Sequence, residues 1–272
     1  MSAVFQPLAD STFSGPACFG QQRVPAVFRG LACAWPAIQR WRFSELAHRV
    51  PDHTVQLVAG NREHERTRFV ESSLRAYLKA LDSNSNPAEH PLYLKEFDLL
   101  DALPELRHDL KHSEIFPKGT TRSLQSWIGP AGARTGLHHD YLDNLAVQIV
   151  GRKRFYLVAP ATVARLGAVS AKYDAWARLS SSTATTLACT NGASDADFTV
   201  LDLEPGDVLY VPKGWWHEVH NLTASILLGG FYGPRTAVAA RWAWVGLRNA
   251  LHQMGWLGRQ GCTCHPDPSS PN

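Results

Sequence analysis

The chain has 272 residues, 44% of them hydrophobic, with a formal net charge of +3 and five cysteines. That is enough apolar material to bury one good-sized core, and the basic residues are too few and too dispersed to follow a phosphate backbone, which argues against nucleic acid as a partner. No apolar run approaches the ~18 residues of a membrane span, no charged-then-apolar leader pattern opens the chain, and Cys18, Cys33 and Cys189 are scattered rather than arranged as a disulfide framework. The expectation is a soluble, cytoplasmic protein with no membrane partner.

Residues 1–24 read as an irregular N-terminal arm, and residues 25–90 as a mixed α/β segment in which "SSLRAYLKAL" (72–81) is a helix capped by Ser72 or Ser73, followed by the loop "SNSNPAEHP". Strand signals dominate residues 91–233. "RSLQSWIG", "NLAVQIV", "RFYLVAP", "FTVLDL", "DVLYVP" and "SILLGGFYG" are short, rich in β-branched and aromatic residues, and separated by Gly, Pro or Asp turns, which predicts a mainly β, two-sheet antiparallel jelly roll with flanking helices. Residues 168–197, rich in Ser, Thr and Ala, interrupt it as an insertion of the kind that serves as a lid. Residues 234–260 read as a C-terminal helix with Ala240, Trp244, Leu247, Leu251 and Met254 on one face and Arg241 and Arg248 on the other. In the tail, 261–272, Cys262, Cys264 and His265 form C-x-C-H, which lacks a second ligand pair, so the tail reads as free of metal.

Chemistry concentrates in "TGLHHDYLDN" (135–144). If "GLHHDY" ends a strand, side chains alternate, so His138 and Asp140 share a face and His139 points away. One imidazole and one carboxylate are two of the three ligands of the facial arrangement that holds non-haem Fe(II) with open positions. The third must come from elsewhere, and "PGDVLYVPKGWWHEVHN" offers both His217 and His220 on another strand.

The strings "TGLHHDYLDNLAVQIVGRKRFYLVAP" and "PGDVLYVPKGWWHEVHN", in this order, resemble the cupin-type Jumonji C oxygenases, in particular the small hydroxylase branch that includes an asparaginyl hydroxylase acting on hypoxia-inducible factor. The likeness is strong over residues 90–232 and weaker back to "VPAVFRGLACAWPAIQRW". It implies a double-stranded β-helix (jelly-roll, cupin-like) core and a metal histidine directly after the aromatic pair Trp215 and Trp216, hence the ligand set His138, Asp140 and His217, with His220 outside it. It also implies 2-oxoglutarate as cosubstrate, with Lys153 for its far carboxylate and Thr135, Asn144 and Tyr93 lining its pocket. In relatives an asparagine stands near the site on the last core strand, where this chain has Gly230.

By the same resemblance, Fe(II), 2-oxoglutarate and dioxygen would yield succinate, carbon dioxide and a hydroxylated substrate. Asp140 at the carboxylate position favours hydroxylation over halogenation. The substrate is expected to be a residue in a peptide or protein; a free amino acid or small metabolite is the alternative, and a metal-binding cupin without turnover a further one. Histone lysine demethylation is disfavoured because no reader domain or basic segment accompanies the barrel. The apolar residues of the C-terminal helix lead to the expectation of a homodimer formed through it.

Overall fold

A computed structural model describes residues 2–20, 22–83, 91–118, 120–259 and 261–266. The loop expected over 83–91 and the tail expected to 272 lie partly outside the described residues. In chain order the strands are β1 (Gln6–Pro7), β2 (Ala26–Phe28), β3 (Thr54–Ala59), β4 (Phe69–Ser73), β5 (Leu92–Phe97), β6 (Thr120–Gly129), β7 (Arg134–Asp140), β8 (Asp143–Val150), β9 (Lys153–Val158), β10 (Ala177–Leu179), β11 (Phe198–Leu203), β12 (Val208–Val211), β13 (Trp216–Asn221) and β14 (Ser225–Pro234). The α-helices are α1 (Pro36–Arg40), α2 (Phe43–Arg49), α3 (Leu74–Asp82), α4 (Leu99–Ala102), α5 (Thr162–Arg165), α6 (Ala184–Ala188) and α7 (Arg235–Gln253).

Two sheets result, with strand orders β1-β11-β9-β13-β7-β10 and β2-β12-β8-β14-β6-β5-β3-β4. From β6 to β9, and again from β11 to β14, successive strands alternate between the two sheets, which is the winding of a cupin-like jelly roll. Period-two alternation along β8 shows how this builds a site. Leu145, Val147 and Ile149 face outward into the largest apolar cluster, with Trp35, Trp41, Leu46, Leu74 and Leu78 of the pre-barrel segment, whereas Asn144 and Ala146 face the space between the sheets. Ala146 there joins Phe155, Leu157, Leu201, Leu209 and Leu227 in a second cluster.

Several local expectations need revision. The helix predicted at 72–81 starts at Leu74, and Ser73 rather than Ser72 caps it, its hydroxyl accepting the Ala76 N–H at 3.3 Å. The arm at 1–24 is tied down rather than irregular: Gln6 and Pro7 pair in parallel with Thr199 and Val200, Asp10 bridges Val27, and Phe19 is buried against Phe28. The interruption at 168–197 supplies β10, which pairs with β7 and so extends the sheet carrying His138 and Asp140.

The C-terminal helix ends at Gln253 and leaves much of its apolar stripe exposed. Val238 and Val245 are its buried residues, Leu247 and Met254 are 61% and 57% exposed, and the two arginines of the opposite face are partly buried. Arg241 and Arg248 lie 4.5–5.6 Å over the rings of Tyr141, Tyr173 and Trp244. A guanidinium stacks on aromatic faces while its stem covers apolar surface, so its charge did not force it outward. Among the described residues, no helix is long and apolar enough to cross a membrane.

Candidate metal centre and cosubstrate pocket

Strands β7 and β13 lie side by side in antiparallel register with His217 opposite His138. Their imidazole centroids are therefore only 4.2 Å apart, and alternation along β7 brings Asp140 to the same face. Asp140 Oδ1 lies 3.9 Å from His138 Nε2, and Asp140 Oδ2 lies 3.6 Å from His217 Nε2. His139 points away and packs edge-on against Trp216 at 4.6 Å, while His220 turns to Glu218 at 2.6 Å.

Both converging histidines are oriented from behind. His138 Nδ1 sits 2.7 Å from the Gly136 carbonyl and His217 Nδ1 3.2 Å from the Trp215 carbonyl. A carbonyl only accepts, so each Nδ1 donates its proton and each Nε2 presents a lone pair to the centre. Burial, reinforced by His138, lowers His217 well below the ordinary histidine pKa, which keeps it a neutral ligand. Burial likewise pushes the Asp140 carboxyl up to about 6. Among the described residues its buried Oδ2 has no hydrogen-bond partner, an anion-forming atom beside two imidazole lone pairs. That donor set, two histidines and a carboxylate on one face, fits Fe(II).

The three groups open into a cavity of about 400 Å³, within the range of small-molecule sites. Lys153, 1% exposed, closes its deep end. The ammonium donates to Tyr93 Oη and Asn221 Oδ1, both at 2.6 Å, and has no carboxylate partner among the described residues. Burial, with Lys95 nearby, lowers its pKa well below the ordinary lysine value, so the cation is costly until an anion arrives. Tyr93, Thr135 and Asn144 also line this cavity, and burial raises the Tyr93 phenol well above its usual pKa, keeping it a donor.

Gly230 is not part of the lining. A Cβ there would stand 2.1 Å from Phe116 Cζ, on the outer face of β14, whereas the cavity side carries Leu227, Gly229 and Phe231, with Trp127 filling the space a Gly229 side chain would need. Gly230 is therefore not the residue that stands near the site on this strand: Leu227, Gly229 and Phe231 face the site, and Ile226, Leu228 and Gly230 face the core.

Three residues escaped the sequence reading. Asn221 follows His217 by four positions on one strand face, a signal period-two counting could have found; its Nδ2 donates to the Pro130 carbonyl and thereby aims Oδ1 at Lys153. Glu63 and His64 come from the loop after β3 and take the Gly136 and Leu137 N–H groups at 3.1 Å each, fixing the backbone just ahead of His138. Gly136 has to be glycine because a Cβ would lie 2.1 Å from His64 Cδ2. Nothing local in "GNREHER" announces this role. Buried Lys95 bridges both Glu63 oxygens at 2.8 Å; burial alone would raise this carboxyl, but Lys95 and Arg62 outweigh it and hold it at about 2.

The family model described as "Cupin-like domain" matches residues 12–238. Lysine-specific demethylase JMJ30 of Arabidopsis thaliana is 28% identical over 220 residues, covering 74% of this chain and 48% of that protein. Jumonji C domain-containing protein 5 of Drosophila melanogaster is 29% identical over 203 residues, 69% of this chain and 49% of its own length. HSPB1-associated protein 1 of Homo sapiens is 26% identical over 226 residues, 73% and 45% respectively. The chain spans about half the length of the curated relatives it matches.

Proposed function

The chain belongs to the cupin-like family of Jumonji C domains, and from that premise we propose that it is an Fe(II)- and 2-oxoglutarate-dependent dioxygenase hydroxylating an unactivated C–H bond of an amino-acid residue in a peptide or protein. The observation that carries this reading is the meeting, in one cavity, of the His138, Asp140 and His217 donor atoms with a buried, carboxylate-free Lys153. A metal site alone would suit many chemistries; a lone cation at the closed end of the same cavity suits a dicarboxylate spanning the two.

Iron(II), when bound, supplies a Lewis-acidic redox centre with open positions for the keto acid and dioxygen. His138, Asp140 and His217 would hold it on one face. Lys153 would take the far carboxylate of 2-oxoglutarate, and Tyr93 and Asn221 keep the ammonium aimed into the cavity. Overall, 2-oxoglutarate, dioxygen and R–H become succinate, carbon dioxide and R–OH. Trp176 and Trp242, 4.7 Å apart and partly exposed, stand at the cavity rim with Glu96, where the substrate would enter, and the 168–197 insertion bearing Trp176 is the proposed lid.

A second reading, removal of an N-methyl group from lysine, is favoured by the relatives named lysine-specific demethylases and by the carboxylates of Glu96 and Asp174 among the lining groups, which suit a cationic side chain. The deciding experiment incubates iron-loaded protein with 2-oxoglutarate and a panel of peptides, methyl-lysine peptides and free metabolites, following succinate and product mass. A peptide gaining one oxygen supports the first reading. Formaldehyde release supports the second, a modified free metabolite supports a small-molecule hydroxylase, and no succinate under any condition leaves a metal-binding cupin without turnover.

A further inference from the structure

A second cluster of ligand-type side chains lies at the C-terminal end, apart from the cavity. His252 Nε2, Cys262 Sγ, Cys264 Sγ and His265 Nδ1 all lie within 4.8 Å of one another. The two nitrogens are 3.3 Å apart; Cys264 Sγ is 3.3 Å from His252 Nε2 and 3.4 Å from His265 Nδ1, and Cys262 Sγ is 3.4 Å from His265 Nδ1. Tetrahedral zinc, with Zn–N of about 2.0 Å and Zn–S of about 2.3 Å, requires separations of roughly 3.3 Å between nitrogens and roughly 3.5 Å between nitrogen and sulfur. These four separations match.

The ligand pair that C-x-C-H lacks in sequence is completed by His252, contributed by the last turn of α7. His252 is prepared for the task. Its Nδ1 is 2.9 Å from the Leu257 carbonyl and therefore carries the proton, leaving the Nε2 lone pair facing the sulfurs. Tyr173 stacks on its ring at 4.2 Å. Gly258, at φ +75°, lets the chain turn back over it; a Cβ there would lie 2.7 Å from His252 Nδ1. The cysteines are presented equally firmly. Thr67 Oγ1 donates to the Cys262 carbonyl at 2.6 Å, Tyr173 N donates to the Gly261 carbonyl at 3.0 Å, and Thr263 N donates to the Tyr173 carbonyl at 3.1 Å. The His252 Nε2 lone pair, the His265 imidazole and both sulfurs thus converge on one point, where a cation can take the place of the thiol protons.

We propose that His252, Cys262, Cys264 and His265 bind a structural Zn²⁺. The donor set, two sulfurs and two nitrogens in four-coordinate geometry, selects zinc and leaves no open position for chemistry. The ion clamps the end of α7, the 261–265 segment and the insertion at Tyr173 into one unit. Asp174 and Trp176, immediately after Tyr173, line the cavity together with Trp242 of α7, so the clamp fixes one side of the rim. The proposal is independent of the chemistry assigned to the cavity.

The test uses the full chain without a polyhistidine tag, produced with zinc and washed with EDTA. Expected are one retained zinc per chain and an X-ray absorption spectrum with both sulfur and nitrogen neighbours. Cobalt(II) replacing the zinc should give a thiolate charge-transfer band, which the sulfur-free His138–Asp140–His217 site cannot produce. Cys264→Ser and His265→Ala should each lose this zinc while still binding Fe(II) at the other centre. Folded wild-type protein holding less than a tenth of an equivalent of zinc, zinc with only nitrogen and oxygen neighbours, or Cys262 and Cys264 recovered as a mutual disulfide would overturn it. Should a variant fail to fold, the wild-type spectra decide alone.

Discussion

Replacing Lys153 with methionine should stabilise the cosubstrate-free protein and remove the protection that 2-oxoglutarate gives it. Lys153 is fully enclosed, donates to the neutral oxygens of Tyr93 and Asn221 and has no carboxylate partner among the described residues, so its charge is a cost until an anion arrives. A charge-assisted hydrogen bond contributes about 1.5–3 kcal/mol, so its loss weakens 2-oxoglutarate binding about ten- to a hundred-fold. At a ligand concentration of about 100 Kd, wild-type protein gains about 2.7 kcal/mol; with Kd raised a hundred-fold, the variant at the same concentration gains only about 0.4 kcal/mol. At ~2–4 °C per kcal/mol the shifts in Tm are about 5–10 °C and about 1 °C. The assay is thermal unfolding of manganese-loaded protein without oxygen, with and without 2-oxoglutarate. The pH dependence adds a second reading. Burial lowers the Lys153 pKa in the folded state, so the unfolded chain binds more protons and wild-type stability rises with pH. The advantage of the cosubstrate-free variant is therefore largest below the depressed pKa and narrows towards the ordinary lysine value near 10.5. A variant that keeps the full 2-oxoglutarate shift, or is less stable than wild type without ligand, would refute the role given to Lys153.

Fe(II) content should fall to background in His138→Ala, Asp140→Ala and His217→Ala and stay at wild-type level in His220→Ala and His139→Ala; iron lost with His220 and kept without His217 would move the third ligand. Glu63→Gln strips Lys95 of its counter-charge, and breaking such a buried pair costs about 3–5 kcal/mol. Because Glu63 is held at about 2 in the fold against an ordinary glutamate value of 4.5, its contribution is complete above pH 4.5 and lost as pH falls through 2, so the stability gap measured by denaturant unfolding should be flat above pH 4.5 and shrink below it. Trp242, Leu247, Met254 and Trp256 leave α7 and its following turn with exposed apolar side chains, and light scattering at micromolar concentration should report two chains, shifting towards one in Leu247→Arg; a monomeric wild type would leave these side chains solvent-exposed.

The strand segments of the barrel and the shared face of His138 and Asp140 were legible in the sequence because they depend on period-two alternation over a few residues. Local pattern did not distinguish His217 from His220; that choice came from the resemblance, and in the fold His217 stands opposite His138 while His220 turns to Glu218. Which face of α7 packs inward was not legible, because the ring faces that receive Arg241 and Arg248 belong to the remote Tyr141 and Tyr173. Glu63 and His64 behind His138, and His252 beside the C-terminal cysteines, belong to the same class. Short-range periodicity states which side chains share a face; which distant faces meet is decided only when the chain closes, because those contacts depend on register and loop path between remote segments, such as Glu63 and Gly136, 73 residues apart. Tertiary structure therefore decided what stands behind each ligand, and it turned an incomplete cysteine motif into four converging donors.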